Sequence, residues 1–453
     1  MIDTHEKALA ETDKYKKKRL GQYYTPEDVA DLMSGWLSPL PGYNLCDVGC
    51  GTGRLILAYL RRIGKEHAKE LVSSGRIYLY DLDETALDIC VKSIKEEFGE
   101  GEIHTFLGDF LSRSIALPDD CKVISNPPYA SYTELGVDWD KTDVQIATKD
   151  YYTAFMEKIL LGSRTSVIIT PYSFISSEKF YAIREVLDGC GGDIYVFDNV
   201  PGNIFNGRKQ GIFNTNLKNS VRAAITVTKE INERGYRVTP LIRFKTDERE
   251  KVLDPHTLKT YLPRQRQRIN EENPCYYKCF PQLVPVYKRW LHYAENHTLK
   301  ELLGDGYYHL SFPKTCRYYT TAATKLNRKG QIQLSFSSPD DFYFAYCLLN
   351  SSFAYWYWRM FDGGINYTKS LLLSLPILTH RFTENERGFF RSMAGVMIQS
   401  EQGYMVKTIN VGEQENIKFP QQYRDTINQR ILAILGLDLD ASVFNQVHTN
   451  SIS

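Results

Sequence analysis

The sequence predicts an α/β fold: a mostly parallel sheet with helices on both faces, followed by a separate mixed α+β domain. Three observations carry this. Over residues 1–245, short β-rich runs alternate with amphipathic stretches, the pattern of a parallel sheet with crossover helices. Several of those runs end in glycine, acid or proline motifs of the kind found where such sheets bind ligands. After about residue 245 the alternation stops and aromatic and basic residues crowd in, and the 246–453 stretch is long enough to hold its own core.

The predicted strands are Tyr43–Val48, Arg76–Tyr80, Ile103–Leu107, Lys122–Ser125, Ser166–Thr170, Ile194–Phe197 and Val221–Thr228. The predicted helices are Arg54–Ser73, Glu84–Phe98, Tyr151–Leu161 and Ser177–Leu187. Tyr343–Phe361, interrupted by Asn350, Ser351, Ser352 and Arg359, reads as an aromatic core helix rather than a membrane span.

A chain of 453 residues, 43% hydrophobic and 24% charged, is globular in composition, which excludes disordered, collagenous and coiled-coil classes. The N-terminus has no apolar core of a secretory signal, so a cytoplasmic location is expected. Nine scattered cysteines complete no zinc pattern, so reduced thiols and no metal are expected. The formal charge of +1 hides an asymmetry: Lys259–Gly330 holds 13 basic and 5 acidic residues. Such a segment is a candidate phosphate-contacting surface, with Arg264, Arg266 and Arg268 at its head, or else an ordinary solvated face.

Four motifs carry chemistry. Asp47-Val48-Gly49-Cys50-Gly51-Thr52-Gly53 follows the first strand and opens a helix, and its glycines permit a sharp turn close to a ligand. An acid ahead of GxGxG favours an adenosine with a charged amino-acid tail, such as S-adenosylmethionine, over a pyrophosphate. Asp81, at the end of the second strand and next to Leu82, is placed to accept from ribose hydroxyls. Asp109, with Phe110, is either a carboxylate for an adenine amino group or a helix cap. Asn126-Pro127-Pro128-Tyr129 ends the fourth strand, and its prolines stiffen an extended turn. The Asn126 amide and the Pro127 carbonyl then offer two acceptors to one NH2 group, and Tyr129 offers a flat face for a planar ring.

With these motifs and GQYYTP at Gly21–Pro26, the chain resembles the gamma-class adenine-N6 DNA methyltransferases of restriction–modification systems. The order is that of the class: cofactor-lid segment, cofactor loop, catalytic loop, target-recognition domain. The resemblance is looser beyond about residue 230, where YYTTAATK, LLNSSFAYWYW and GGINYTKSLLLSLPI are similar to recognition-domain segments. It implies a Rossmann-like methyltransferase domain over 1–245 and a DNA target-recognition domain over 246–453. It implies that Tyr24, Thr25 and Pro26 line S-adenosylmethionine near Gly49, Gly51, Gly53 and Asp81, with S-adenosylhomocysteine as product. It also implies a second aromatic opposite Tyr129: Phe205 by position, although Asn206 stands where proline is usual, and Phe213 is the alternative. Arg208 and Lys209 are candidate phosphate contacts. Duplex DNA and a cognate restriction endonuclease are the implied partners, with no membrane. NPPY also suits RNA and protein-glutamine methyltransferases, and a non-catalytic DNA-binding scaffold is the reading from another class.

Overall fold

A computed structural model describes residues 25–37, 42–199, 201–205, 221–230, 233–270, 274–315, 321–362, 364, 366–408 and 414–447. Tyr24, Arg208, Lys209 and Phe213 lie outside them. The chain divides into two compact units, one ending at Tyr277 and one running from Lys278 to Thr449.

The first unit is built on an eight-stranded sheet. Its strands are β1 (Asn44–Val48), β2 (Ile77–Asp81), β3 (Ile103–Leu107), β4 (Cys121–Ser125), β5 (Thr165–Pro171), β6 (Gly191–Phe197), β7 (Ala223–Thr228) and β8 (Gly235–Ile242), in the order β3-β2-β1-β4-β5-β7-β6-β8. All neighbouring pairs are parallel except those made by β7, which runs against both β5 and β6. The strands alternate sides with period two, and both sides are buried. Leu45, Ile77 and Leu79 enter one core cluster with Ile56, Leu60 and Ile94. Cys46, Val48 and Tyr80 enter the other with Phe110, Phe155 and Ile159.

Two sequence expectations change here. The segment 54–73 is two helices, α1 (Arg54–Ile63) and α2 (Lys65–Ser73), because Gly64 at φ 87° ends the first and begins the second. Strand β8 was not anticipated, since Pro240 interrupts its hydrogen-bonding row. The sheet accommodates it at its edge: the Val196 N–H bonds to the Thr239 Oγ1 at 2.9 Å, and the β6–β8 register shifts between Ile194 and Val196.

The expected step at 245/246 falls inside the first unit. Gln267 bridges to Tyr236 of β8 through both backbone groups, and Arg249 is buried against residues from two earlier segments.

The second unit is α+β. It holds two antiparallel strand pairs, Tyr308–Pro313 with Gln331–Phe336 and Met405–Thr408 with Gln414–Ile417, among helices that include Glu384–Ser400 and Gln421–Ile434. The expected single helix over 343–361 is two helices, Pro339–Leu349 and Ser352–Phe361. Asn350 ends the first by folding its amide back onto the Tyr346 carbonyl, and the Ser351 hydroxyl caps the second. Trp290, Trp356, Trp358 and Tyr346 are fully buried, so these aromatics make the core of the unit. Among the described residues no helix is long and apolar enough to cross a membrane.

Candidate active site

Parallel strands place the carboxyl ends of β1, β2, β3 and β4 along one edge of the sheet. The chain builds outward from β1 to β2 and β3, then returns to the other side of β1 with β4. The crevice between β1 and β4 is therefore the topological switch point, the usual ligand position in open α/β sheets. The register sets the level of its two walls. Val48 pairs with Ser125, so Gly49 and Asn126 leave the sheet side by side. The Ser125 hydroxyl ties them by donating to the Val48 carbonyl at 2.6 Å.

The glycine loop is held from β2. Gly49 and Cys50 donate backbone N–H groups to the Tyr80 carbonyl at 2.9 and 3.1 Å. The Asp81 carboxylate accepts from Gly51 N at 2.7 Å and, through its other oxygen, from Asp83 N at 3.0 Å. Burial pushes the Asp81 carboxyl up, partly offset by these bonds. Gly49, Gly51 and Gly53 all have positive φ. A Cβ on Gly49 would stand 3.5 Å from the Asn126 carbonyl oxygen, in the gap between the loops. At Gly53 it would lie 2.5 Å from the Cys90 sulfur, so that glycine is required by packing as well as by φ.

Asp47 serves the loop from beneath. It is 0% exposed and accepts from Ile56 N, in the first turn of α1, at 3.2 Å through one oxygen. Its other oxygen is buried without a hydrogen-bond partner, and burial raises the carboxyl to about 8. Leu82, just past the end of β2 beside Asp81, is 58% exposed, an apolar side chain left open to solvent. Asp109 is engaged otherwise: one oxygen accepts from Leu111 N at 3.0 Å and the other from the Trp139 indole at 2.8 Å. The helix-cap reading of Asp109 is not met, because no helix follows it: its carboxylate closes the turn after β3 instead. Phe110 is buried in the core, with its ring against Tyr80 and Phe155.

Beyond β4, Asn126 is half-buried, and its amide donates to the Thr25 hydroxyl at 3.0 Å. Thr25 and Pro26 lead into the helix Glu27–Ser34, which brings this segment over the switch point. Pro127 is buried. Tyr129 turns toward β5 and donates its hydroxyl to the Ile169 carbonyl at 3.0 Å. Facing it is Phe205, from the connection after β6, with centroids 6.1 Å apart and planes inclined by 66°. The structure thus brings Thr25, Pro26, Gly49, Gly51, Asp81, Asn126 and Tyr129 to one edge, with Phe205 beside Tyr129.

The three arginines at the head of the basic segment differ. Arg264 is exposed. Arg266 donates to the Gly192 and Gly235 carbonyls at 2.9 and 3.1 Å, pinning the ends of β6 and β8, and Arg268 pairs with Asp188 at 2.8 Å. Among the described residues no group of three His, Cys, Asp or Glu could hold a metal. Sequence reasoning missed the Ser125 tie and the Thr25–Asn126 bond. Both come from sheet register and long-range packing, and only the position of Ser125 directly before Asn126 hinted at either.

Compared with known proteins, residues 1–209 match the N-6 DNA methylase family. The Type II methyltransferase M.VspI of Vibrio sp. (strain 343) is 34% identical over 131 residues, covering 28% of this chain and 29% of that protein. The match therefore spans less than a third of that relative's length. Among solved structures, the chain is similar to the ATP-dependent Type ISP restriction–modification enzyme LlaBIII bound to DNA, with TM-score 0.46 and 15% identity over 94% of this chain and 32% of that one. It is also similar to a modification subunit of a putative type I restriction enzyme from Vibrio vulnificus YJ016, with TM-score 0.40 and 14% identity over 64% and 56%.

Proposed function

We propose that the chain is a site-specific DNA methyltransferase of restriction–modification type, acting on the exocyclic N6 of an adenine rotated out of duplex DNA. The observation that carries the reading is the Asn126-Pro127 turn lying beside Gly49 at the switch point, with Tyr129 and Phe205 facing each other next to it. The match of residues 1–209 to the N-6 DNA methylase family supports the same class.

The residues at this edge fit S-adenosylmethionine. The glycine loop leaves room that a side chain on Gly49 would fill, and Asp81 and Leu82 set a carboxylate beside an apolar surface, as an adenosine requires. Gly49, Gly51, Gly53, Asp81, Leu82, Thr25 and Pro26 would hold it, and Asp47 would support the loop from below. When bound, it supplies an electrophilic methyl group on a sulfonium and leaves as S-adenosylhomocysteine.

The acceptor amine is a poor nucleophile because its lone pair is delocalised into the purine. Asn126 Oδ1 and the Pro127 carbonyl accept its two N–H groups and favour the pyramidal nitrogen that attacks, a fixed-dipole stabilisation of developing charge. Rotating the base out of the stack costs a few kcal/mol. Stacking on aromatic rings returns about 1–3 kcal/mol for each base–aromatic contact. Sandwiching a base takes two carbon contact distances, about 7–8 Å, so Tyr129 and Phe205 must part and turn from 6.1 Å and 66° to receive it. The basic segment, whose head lies in the first unit and whose remainder lies in the second, would supply phosphate contacts, and the second unit would set sequence choice. The reading places the protein in the cytoplasm, with duplex DNA and a cognate restriction endonuclease as partners.

Labelled S-adenosylmethionine incubated with the protein and genomic DNA, followed by nucleoside analysis, tests this. N6-methyladenine that disappears in the Asn126→Ala variant is the expected result. Label in cytosine, RNA or protein, or none at all, overturns the assignment.

A further inference from the structure

Arg249 lies beyond the composition change that set the expected domain boundary, yet it is 8% exposed and packed in the first unit. Its guanidinium forms a two-pronged pair with Asp28, Nε to Oδ2 at 2.5 Å and Nη2 to Oδ1 at 3.0 Å. It also donates from Nη1 to the Asn203 carbonyl at 2.7 Å and from Nη2 to the Ile204 carbonyl at 2.8 Å. Asp28 sits in the first turn of the helix that follows Thr25 and Pro26, and Thr25 holds the Asn126 amide. Asn203 and Ile204 immediately precede Phe205, whose N–H is held by the Asn203 side chain at 2.8 Å. The same connection is fixed at its start, where Gly202 donates to the Phe244 carbonyl at 2.7 Å and leaves no room for a Cβ.

One planar group thus joins the segment that orients Asn126 to the segment that presents Phe205. Two carbonyls and both oxygens of a carboxylate are four acceptors that a guanidinium's fork of five N–H donors can satisfy together and an ammonium's three cannot. Being buried, Arg249 is not placed for a DNA phosphate. A salt pair alone would explain its contact with Asp28, but not the two consecutive carbonyls ahead of Phe205.

We propose that Arg249 is a positioning residue for methyl transfer, setting Phe205 against Tyr129 and, through Asp28, Thr25 against Asn126. The inference rests on the function proposed above. It holds the Phe205 segment directly and reaches the cofactor side only through Asp28 and Thr25, so the turnover step should respond far more than cofactor affinity.

The test uses the full chain as wild type, Arg249→Met, Arg249→Lys and Asp28→Asn. Once the wild type's modified adenine has been mapped, a duplex carrying 2-aminopurine at that position is the probe. Misplacement by about 1 Å can cost on the order of a hundredfold in rate, so Arg249→Met should lower kcat by about 10–100-fold. It should also blunt the 2-aminopurine fluorescence rise and leave the Kd for S-adenosylmethionine within about threefold, a difference below about 1 kcal/mol. Arg249→Lys, with charge but no fork, should fall between the two. Asp28→Asn, which loosens one prong and leaves both carbonyl bonds, should lower kcat less than Arg249→Met does. A folded Arg249→Met with wild-type kcat and fluorescence overturns the inference. If that variant does not fold, unchanged kcat and fluorescence in Asp28→Asn overturn the coupling to Thr25. A wild type that methylates no adenine overturns the underlying function and the inference with it, a result distinct from either of those.

Discussion

The Asn126 amide donates to the Thr25 hydroxyl at 3.0 Å, joining residues 101 positions apart across the switch point. The bond commits the nitrogen end of the amide to the segment ahead of the first described helix. The oxygen end is thereby given a direction, and a directed acceptor is what the proposed grip on an amine requires.

Removing that constraint should slow turnover more than it weakens cofactor binding, to which Thr25 contributes only one of several contacts in the proposed site. A single neutral hydrogen bond is worth about 0.5–1.5 kcal/mol net, or roughly a tenfold rate effect at the upper end. Thr25→Val should therefore lower kcat by up to about tenfold, and Thr25→Ser should restore it. Single-turnover kinetics beside a cofactor titration separate the two effects. Wild-type kcat in Thr25→Val would show that the bond does not orient Asn126.

Within the glycine loop the three positive-φ glycines are not equivalent. Gly51, at φ 51°, has nothing within 4 Å of a Cβ, whereas Gly53, at φ 90°, would drive one into the Cys90 sulfur at 2.5 Å. Backbone strain of this kind costs about 1–3 kcal/mol before any clash is added. Gly53→Ala should destabilise the protein in urea by at least that amount, and Gly51→Ala by less. Equal midpoints for the two variants would contradict the packing assigned to Gly53.

That contrast shows what the sequence could disclose. The strand–glycine–helix pattern, the acid ending β2 and the proline turn ending β4 are local signals, and the sheet brings them to one edge because parallel strands align their carboxyl ends. Partners are not local. Nothing around Asp109 announces that Trp139, thirty residues later, donates to it, and nothing in the arginine run marks Arg266 as the pin of two strand ends. Strand β8 was hidden by Pro240, which a central strand would reject but an edge strand tolerates. The domain boundary was read from where the strand–helix alternation stops and the composition changes, and neither signal reports long-range contacts. Arg249 and Gln267 belong to the first unit through contacts that composition does not encode.

Asp47 gives the protein a pH dependence. Burial raises its carboxyl to about 8 from an ordinary value of 3.8, so across that interval the native state keeps a proton that the unfolded chain releases. Stability from this group is fully present below about pH 4 and declines as pH rises toward 8. Asp47→Asn, close in shape to the neutral acid, removes the term. Melting curves from pH 5 to 8 should show a shallower decline in the variant, with its stability relative to wild type rising by a few kcal/mol at the alkaline end. Parallel curves would mean that Asp47 is ionised in the folded protein throughout.

The arginines at 264, 266 and 268 should separate under salt. Each phosphate neutralised contributes about −0.9 to the slope of log affinity against log salt for duplex DNA. Arg264 is exposed, so Arg264→Ala should shallow that slope by up to about one while leaving the melting temperature alone. Arg266 is spent on the Gly192 and Gly235 carbonyls, and its loss strands two buried acceptors at the edge of the sheet. Arg266→Ala should therefore cost about 1–3 kcal/mol of stability with little change in slope. Arg268, paired with Asp188 on the surface, should change stability little and can shift the slope only by leaving that pair. Binding isotherms at four salt concentrations, read beside urea melts, decide the matter. A slope lost with Arg266→Ala, or kept unchanged with Arg264→Ala, would reverse the division of the run into a pin and a phosphate contact.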